Sequence, residues 1–219
     1  SMLRPVRGKT LEKEAVALDL PKFALFVLPF ASGSTTITAT SDSTSSGAEY
    51  AEKVNSSDVG IGARVLISPH LTLGTTVYSG TVSDVTYTVQ GSTISNLNAD
   101  YTASGTHTAY DVTAHYTWHY IERIDLRLGA GLFTSRYAYT FDEPVLGTGG
   151  TTTWDVSTSG LALAFEVDYQ FQSRVIAGFW FLGELSSSGT GSRITAYQEA
   201  GLSTVTAGSR VGLSLGFAL

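Results

Sequence analysis

Hydrophobic and polar positions alternate with period two along most of this chain, from about Asp58 to its end. Near the start of that region Val59, Ile61, Ala63, Val65 and Ile67 share one face, and Asp58, Gly60, Gly62 and Arg64 share the other. Further on, Tyr110, Val112, Ala114, Tyr116 and Trp118 stand against Asp111, Thr113, His115, Thr117 and His119. Leu126, Leu128, Ala130 and Leu132 oppose Asp125, Arg127, Gly129 and Gly131, and Leu161, Leu163, Phe165, Val167 and Tyr169 oppose Ala162, Ala164, Glu166 and Asp168. The last segment sets Val211, Leu213, Leu215, Phe217 and Leu219 against Arg210, Gly212, Ser214 and Gly216. Successive side chains of a strand point to opposite faces, so each segment predicts a strand with one apolar face and one small, polar face.

The connections alternate in length. Short turns are predicted at Ser68-Pro69-His70, around Ile121-Glu122-Arg123 and at Gln172-Ser173, with Ser/Thr/Gly-rich loops near 42–57, 88–105, 142–153 and 187–200 between them. Eight strands fit this spacing, near 22–41, 50–67, 71–88, 105–120, 124–141, 154–171, 174–187 and 198–219. The first and seventh are apolar on both faces, which leaves their register open, and Pro29 suits a strand end, a bulge or a segment outside the ladder. Residues 1–21 form an N-terminal extension: Ser1-Met2 reads as a cloning remnant, and a short helix across 10–18 is stopped by Pro21. The remaining residues, 22–219, form one barrel domain.

Composition narrows the class. Charged residues make up 15% of the 219, and the net charge is −6 with no basic run, which excludes a nucleic-acid surface. Cysteine is absent, so there is no disulfide and no thiolate metal site. No apolar stretch reaches the roughly 18 residues a membrane-spanning helix needs, so any crossing is made by strands. No secretory signal is recognisable, and the sequence reads as a mature chain.

Alternation alone does not separate a membrane barrel from a soluble one, whose apolar face points inward. The small, sparsely charged polar faces suit a narrow lumen, and lysine does not occur after Lys53. Aromatics gather at strand ends: Tyr116, Trp118, Tyr120, Tyr169, Phe171 and Phe217 near the short turns, and Tyr137, Tyr139 and Trp154 near the long loops. These predict two girdles flanking an apolar band about 25 Å tall. Val59, Ile61, Val112, Leu126, Leu128, Leu161, Leu163, Val211, Leu213 and Leu215 are expected to face lipid.

Even strand count, short turns on one side and long loops on the other resemble the small eight-stranded outer-membrane barrels, the family of the OmpA transmembrane domain, OmpX and the opacity proteins. The resemblance covers about residues 22–219 and rests on architecture. It implies a bacterial outer-membrane location, turns and termini in the periplasm, loops on the cell surface and contact with outer-membrane lipids and lipopolysaccharide. The family's usual terminal aromatic is replaced here by Leu219, after a matching Val211-Leu213-Leu215-Phe217 alternation.

Arg64, Asp111, Asp125, Arg127, Glu166, Asp168, Glu184 and Arg210 are expected to form a closed lumen network, because buried charges persist only when paired. His115 and His119 are expected inside the barrel in structural roles; about 13 Å apart along one strand, they cannot chelate one metal. No cofactor and no metal are expected. The leading expectation is a non-catalytic monomer whose loops contact a surface or host ligand. A narrow, porin-like conduit and a lipid-modifying enzyme using His115 or His119 are the alternatives.

Overall fold

The computed structural model describes residues 23–41, 48–91, 97–121, 123–142, 151–171, 174–186 and 189–219. Long strands run over β1 (Phe23–Ser41), β2 (Glu49–Ser68), β3 (Leu71–Gln90), β4 (Leu97–Ile121), β5 (Ile124–Asp142), β6 (Thr151–Gln170) and β7 (Val175–Ser186). A two-residue strand β8 (Gly189–Thr190), a helix α1 (Ser192–Glu199) and the last long strand β9 (Leu202–Ala218) follow. Each long strand pairs antiparallel with its neighbours, and β1 closes the ring against β9. The eight long strands therefore form an up-and-down barrel with no free sheet edge over most of its height. The predicted N-terminal extension and the turn at Gln172-Ser173 lie outside the described residues.

Pro29 sits at a bulge: the β1 register shifts between Leu28 and Ala31 against β2, and between Val27 and Phe30 against β9. A residue without an N–H cannot continue the ladder, and an extra residue absorbs the break.

The outer face has two zones. From the short-turn end upward it is apolar, with Ile61 and Leu132 each 65% exposed and Leu128, Leu161, Leu163, Leu213 and Leu215 likewise uncovered. Val112 and Leu126 share that outward parity and are half-buried. The apolar run ends at Phe30, Val59, Val77, Tyr110, Leu132, Leu161 and Val211, and the next outward residues are Ser32, Ser57, Ser79, Thr108, Thr134, Ser159 and Ser209. Eight rises of about 3.4 Å from Val59 to Ile67 give ~27 Å of strand, or roughly 20 Å of height at a tilt of about 40°. Tyr116, Trp118, Tyr169, Phe171 and Phe217 are exposed at the lower margin.

Above the serine–threonine line the strands continue, and there the interior turns apolar. Ile37, Val54, Val85, Tyr87, Tyr137, Tyr139, Phe141, Trp154 and Val156 form one buried cluster. Two expectations are corrected by this half. Tyr137, Tyr139 and Trp154 are not an upper girdle but core residues, because the alternation that points Leu128 and Leu132 outward carries Tyr137 and Tyr139 inward. Of the polar stretches expected as long loops, the first two are largely strand, since β2 begins at Glu49, β3 ends at Gln90 and β4 begins at Leu97; α1 occupies much of the fourth, and residues 143–150 of the third lie outside the described residues. Thr and Ser alternating with inward Val and Tyr, as in Thr86-Tyr87-Thr88-Val89, satisfy a strand whose outer face is wet.

The two zones have unequal tolerance. Leu128→Arg, in the middle of the apolar band, should cost about 2–4 kcal/mol in urea unfolding from lipid vesicles. Thr106→Arg, exposed above the line, should be close to neutral, and equal losses at both sites would contradict a boundary there.

Candidate functional site in the barrel interior

The lower interior is a charge layer built by strands on opposite sides of the ring. Arg64 of β2 donates through Nη1 to Asp168 Oδ2 at 2.5 Å and lies 2.6 Å from Glu166 Oε2 through Nη2. Arg127 of β5 shares Asp168 and reaches Asp125 Oδ2 at 3.1 Å. His119 Nδ1 lies 2.7 Å from Asp125 Oδ1, and its Nε2 lies 3.1 Å from the Pro69 carbonyl at the short-turn mouth. His115 stands deeper, fully buried, with Nε2 2.5 Å from Thr113 Oγ1 and Nδ1 3.7 Å from Glu166. Phe26 lies under the Arg64 guanidinium at 4.0 Å.

The middle layer centres on Arg210, which is paired with Glu184 and packed 5.0 Å from the Tyr78 ring centre. Beside it His107 Nδ1 lies 2.7 Å from Asp58 Oδ1, and His107 Nε2 lies 3.0 Å from Ser135 Oγ. Ser56 donates to Asp58 at 3.1 Å, and Tyr137 stacks on the imidazole at 4.1 Å. Asp111 lines a cavity of about 30 Å³ between these layers, with Arg64, Glu166 and Tyr78. A second cavity of about 50 Å³ lies towards the short-turn mouth beside His119, Asp125 and Arg127. Each has room for one or two waters.

The upper layer is Glu52 on β2, fully buried, which accepts from Tyr139 at 2.5 Å and from Tyr197 of α1 at 2.7 Å. Arg193 of α1 donates to the same carboxylate through Nε at 2.6 Å. Burial and the neighbouring Glu52 charge hold the Tyr197 hydroxyl far above its ordinary pKa, so it remains a donor. Loss of water opposes the Arg193 charge, yet Glu52 and Tyr197 raise its pKa above the usual value.

The structure thus brings Arg64, Asp125, Arg127, Glu166 and Asp168 into one network and places Glu184 with Arg210 in another. Sequence reasoning missed Glu52, Asp58, His107 and Arg193. Asp58 carried the right signal, since it stood on the polar face of its strand. His107 lay in the strand predicted near 105–120 at the parity of Asp111 and went unremarked, Glu52 lay where a predicted strand and a predicted loop overlap, and α1 has no capping side chain of its own to mark it. Among the described residues no cluster of metal-ligating side chains is found.

Ser135, His107 and Asp58 have the hydrogen-bond order of an acyl-transfer triad. Catalysis also needs a place for substrate beside the nucleophile. Ser135 is 2% exposed, His107 is wholly enclosed, and neither of the two lumen cavities touches Ser135.

The fold and its lipid-facing band define a transmembrane β-barrel. No protein-family model matches the chain, and no curated protein matches it in sequence. Among solved structures it is similar to the outer membrane protein OprG from Pseudomonas aeruginosa, at 12% identity, TM-score 0.52, covering 91% of this chain and 98% of that one. It is also similar to the outer membrane protease OmpT from Escherichia coli, at 10% identity, TM-score 0.50, covering 90% of this chain and 96% of that one. The chain has the eight-stranded fold of the bacterial outer-membrane barrels.

The lower network should be a large share of stability. Arg127→Leu leaves Asp125 and Asp168 short of a partner inside the lumen and should cost about 3 kcal/mol. The loss should appear as a lower temperature for the gel-mobility change on heating, and an unchanged temperature would show that the layer contributes nothing net.

Proposed function

We propose that this protein is a sealed, non-catalytic surface barrel that presents a rigid serine- and threonine-rich collar, with the loops it carries, to the outside of the cell. The observation that carries this reading is the change of the outer face from apolar to Ser/Thr at one level on seven of the eight long strands. The described residues above that level stand in water, and most of them are strand. The interior supports it: three successive layers of paired charges and packed aromatics fill the lumen, with one cavity of water size between the lower two and one towards the short-turn mouth. A monomeric barrel of this kind contacts outer-membrane lipid along its lower half and lipopolysaccharide head groups at the serine–threonine line. Its partner on the outside is a surface or host molecule that reads the collar.

In planar bilayers the refolded protein should give no steady conductance. Collar variants such as Thr106→Arg with Thr108→Arg should change attachment of expressing cells to a host-cell layer while leaving folding intact. Stable ion conductance, or attachment indifferent to both collar and loops, would remove this reading.

The order Ser135, His107, Asp58 favours a second reading, a lumenal acyl hydrolase, strongly enough to be tested. A fluorophosphonate should leave Ser135 unmodified in the folded barrel, as read by mass spectrometry of the intact protein. Stoichiometric labelling that is lost in His107→Ala would establish an activated serine and overturn the non-catalytic reading.

A further inference from the structure

Above the serine–threonine line the barrel wall is incomplete. β7 ends at Ser186, opposite Thr206 of β9, and among the described residues the space between β6 and β9 higher up holds two ladder pairs from β8 and the helix α1. α1 turns Arg193, Ile194 and Tyr197 into the barrel. The Arg193 guanidinium sits on Glu52 through Nε at 2.6 Å and Nη2 at 2.5 Å. Its central carbon lies 4.7 Å from the Trp154 ring centre, 4.8 Å from Tyr197 and 5.4 Å from Phe141.

Of these groups, Arg193 and Tyr197 belong to α1. Without them, Glu52, Tyr139, Phe141 and Trp154 remain on β2, β5 and β6 as a carboxylate framed by aromatic faces. That combination recognises an organic cation, and the two-nitrogen contact to Glu52 selects a planar guanidinium over an ammonium. We infer that this box is a binding site for a guanidinium compound, with Arg193 as an internal stand-in that the ligand replaces when α1 swings aside.

The attachment of α1 suits such an exchange. Gly191 at its start has φ 119° and Gly201 at its end has φ 78°, so both flanks use the left-handed backbone open to glycine. Eight residues are too few to hold a helix in water unaided, so α1 stays in place through its contacts. Besides the Glu52 cluster and Ile194, these include an exposed exchange with β6: the Asp155 backbone N–H donates to Ser192 Oγ at 2.9 Å, and the Ser192 N–H donates to Asp155 Oδ1 at 3.3 Å. The box lies above the lipid zone and opens to the outer medium once α1 moves. The inference goes beyond the collar reading and does not depend on it, since the charge layers below stay closed in either case.

The protein has no cysteine, so Asp155→Cys with Ser192→Cys provides a staple that locks α1 when oxidised. Methylguanidinium binding is read by calorimetry on the folded protein, with folding checked by the gel-mobility change on boiling. Wild type and the reduced staple should bind, the oxidised staple should not, and Glu52→Gln should lose binding. Arg193→Ala should bind at least about tenfold more tightly, because the competing internal cation is gone and every molecule is competent. Arg193→Met, which keeps the packing of the stem, serves if the alanine variant fails to fold. Binding of N-acetylargininamide as well would assign the site to arginine side chains, and binding of methylguanidinium alone to small guanidinium compounds. Equal binding by the oxidised and reduced staple, or binding by Arg193 variants with none by wild type, would overturn the inference; the second result would make Arg193 a permanent plug.

Discussion

One set of strands must serve two surroundings, and the polarity of its two faces changes over at a single level. Below that level lipid covers the outside, so backbone groups must be satisfied within the ring and apolar side chains must point outward. The narrow inside then receives the polar side chains, and its arginines are paired there: Arg64 and Arg127 on Glu166, Asp168 and Asp125, and Arg210 on Glu184, while Asp111 lines a small cavity between the layers. Above it water covers the outside, and the same ladder carries Ser and Thr outward and Tyr87, Tyr137, Tyr139 and Trp154 inward. The molecule is a membrane barrel continued upward as a soluble-type barrel, and the same strands run through both, with register shifts at Pro29 and between Val82 and Asp84.

The small residues of the lower and middle strands follow from that crowding. A Cβ on Gly80 would fall 2.1 Å from Asp58 Oδ1, and one on Gly178 would fall 2.1 Å from Asp168 Oδ1. Each glycine stands where a neighbouring strand brings a buried acid, so charge and glycine form complementary halves of one packing unit. The polar faces look empty in the sequence because the groups that fill them belong to other strands.

This explains which features were legible. Period two persists wherever lipid is on one side and a lumen on the other, so strand number, the direction of Leu128 or Leu163, and the polar parity of Arg127 and Asp168 could be read locally. Where the faces exchange roles, composition misleads. Thr102 and Ser104 are strand residues with a wet outer face, but a run rich in Ser and Thr has the same composition as a loop. The aromatic-girdle argument failed at Tyr137 and Tyr139 because it relied on position along the strand and set aside the parity already fixed by Leu132. The pairing of Glu52 with Arg193 was beyond local reading, since it joins residues 141 apart across the lumen.

The shortness of β7 has a structural consequence that the rest of the wall avoids. Where β7 stops, β6 and β9 would each present an unpaired edge, which natural sheets cover or blunt. α1 covers it, but a helix cannot pair with a strand edge, so its attachment depends on side chains: Ser192 on Asp155 outside, and Arg193 and Tyr197 on Glu52 inside. Elsewhere the wall is held by backbone ladders that no ligand can compete for. Here it is held by an ion pair in an aromatic box, the kind of contact that a soluble cation can replace. Any response of this barrel to a soluble ligand at this end is therefore concentrated where the ladder gives way to side chains.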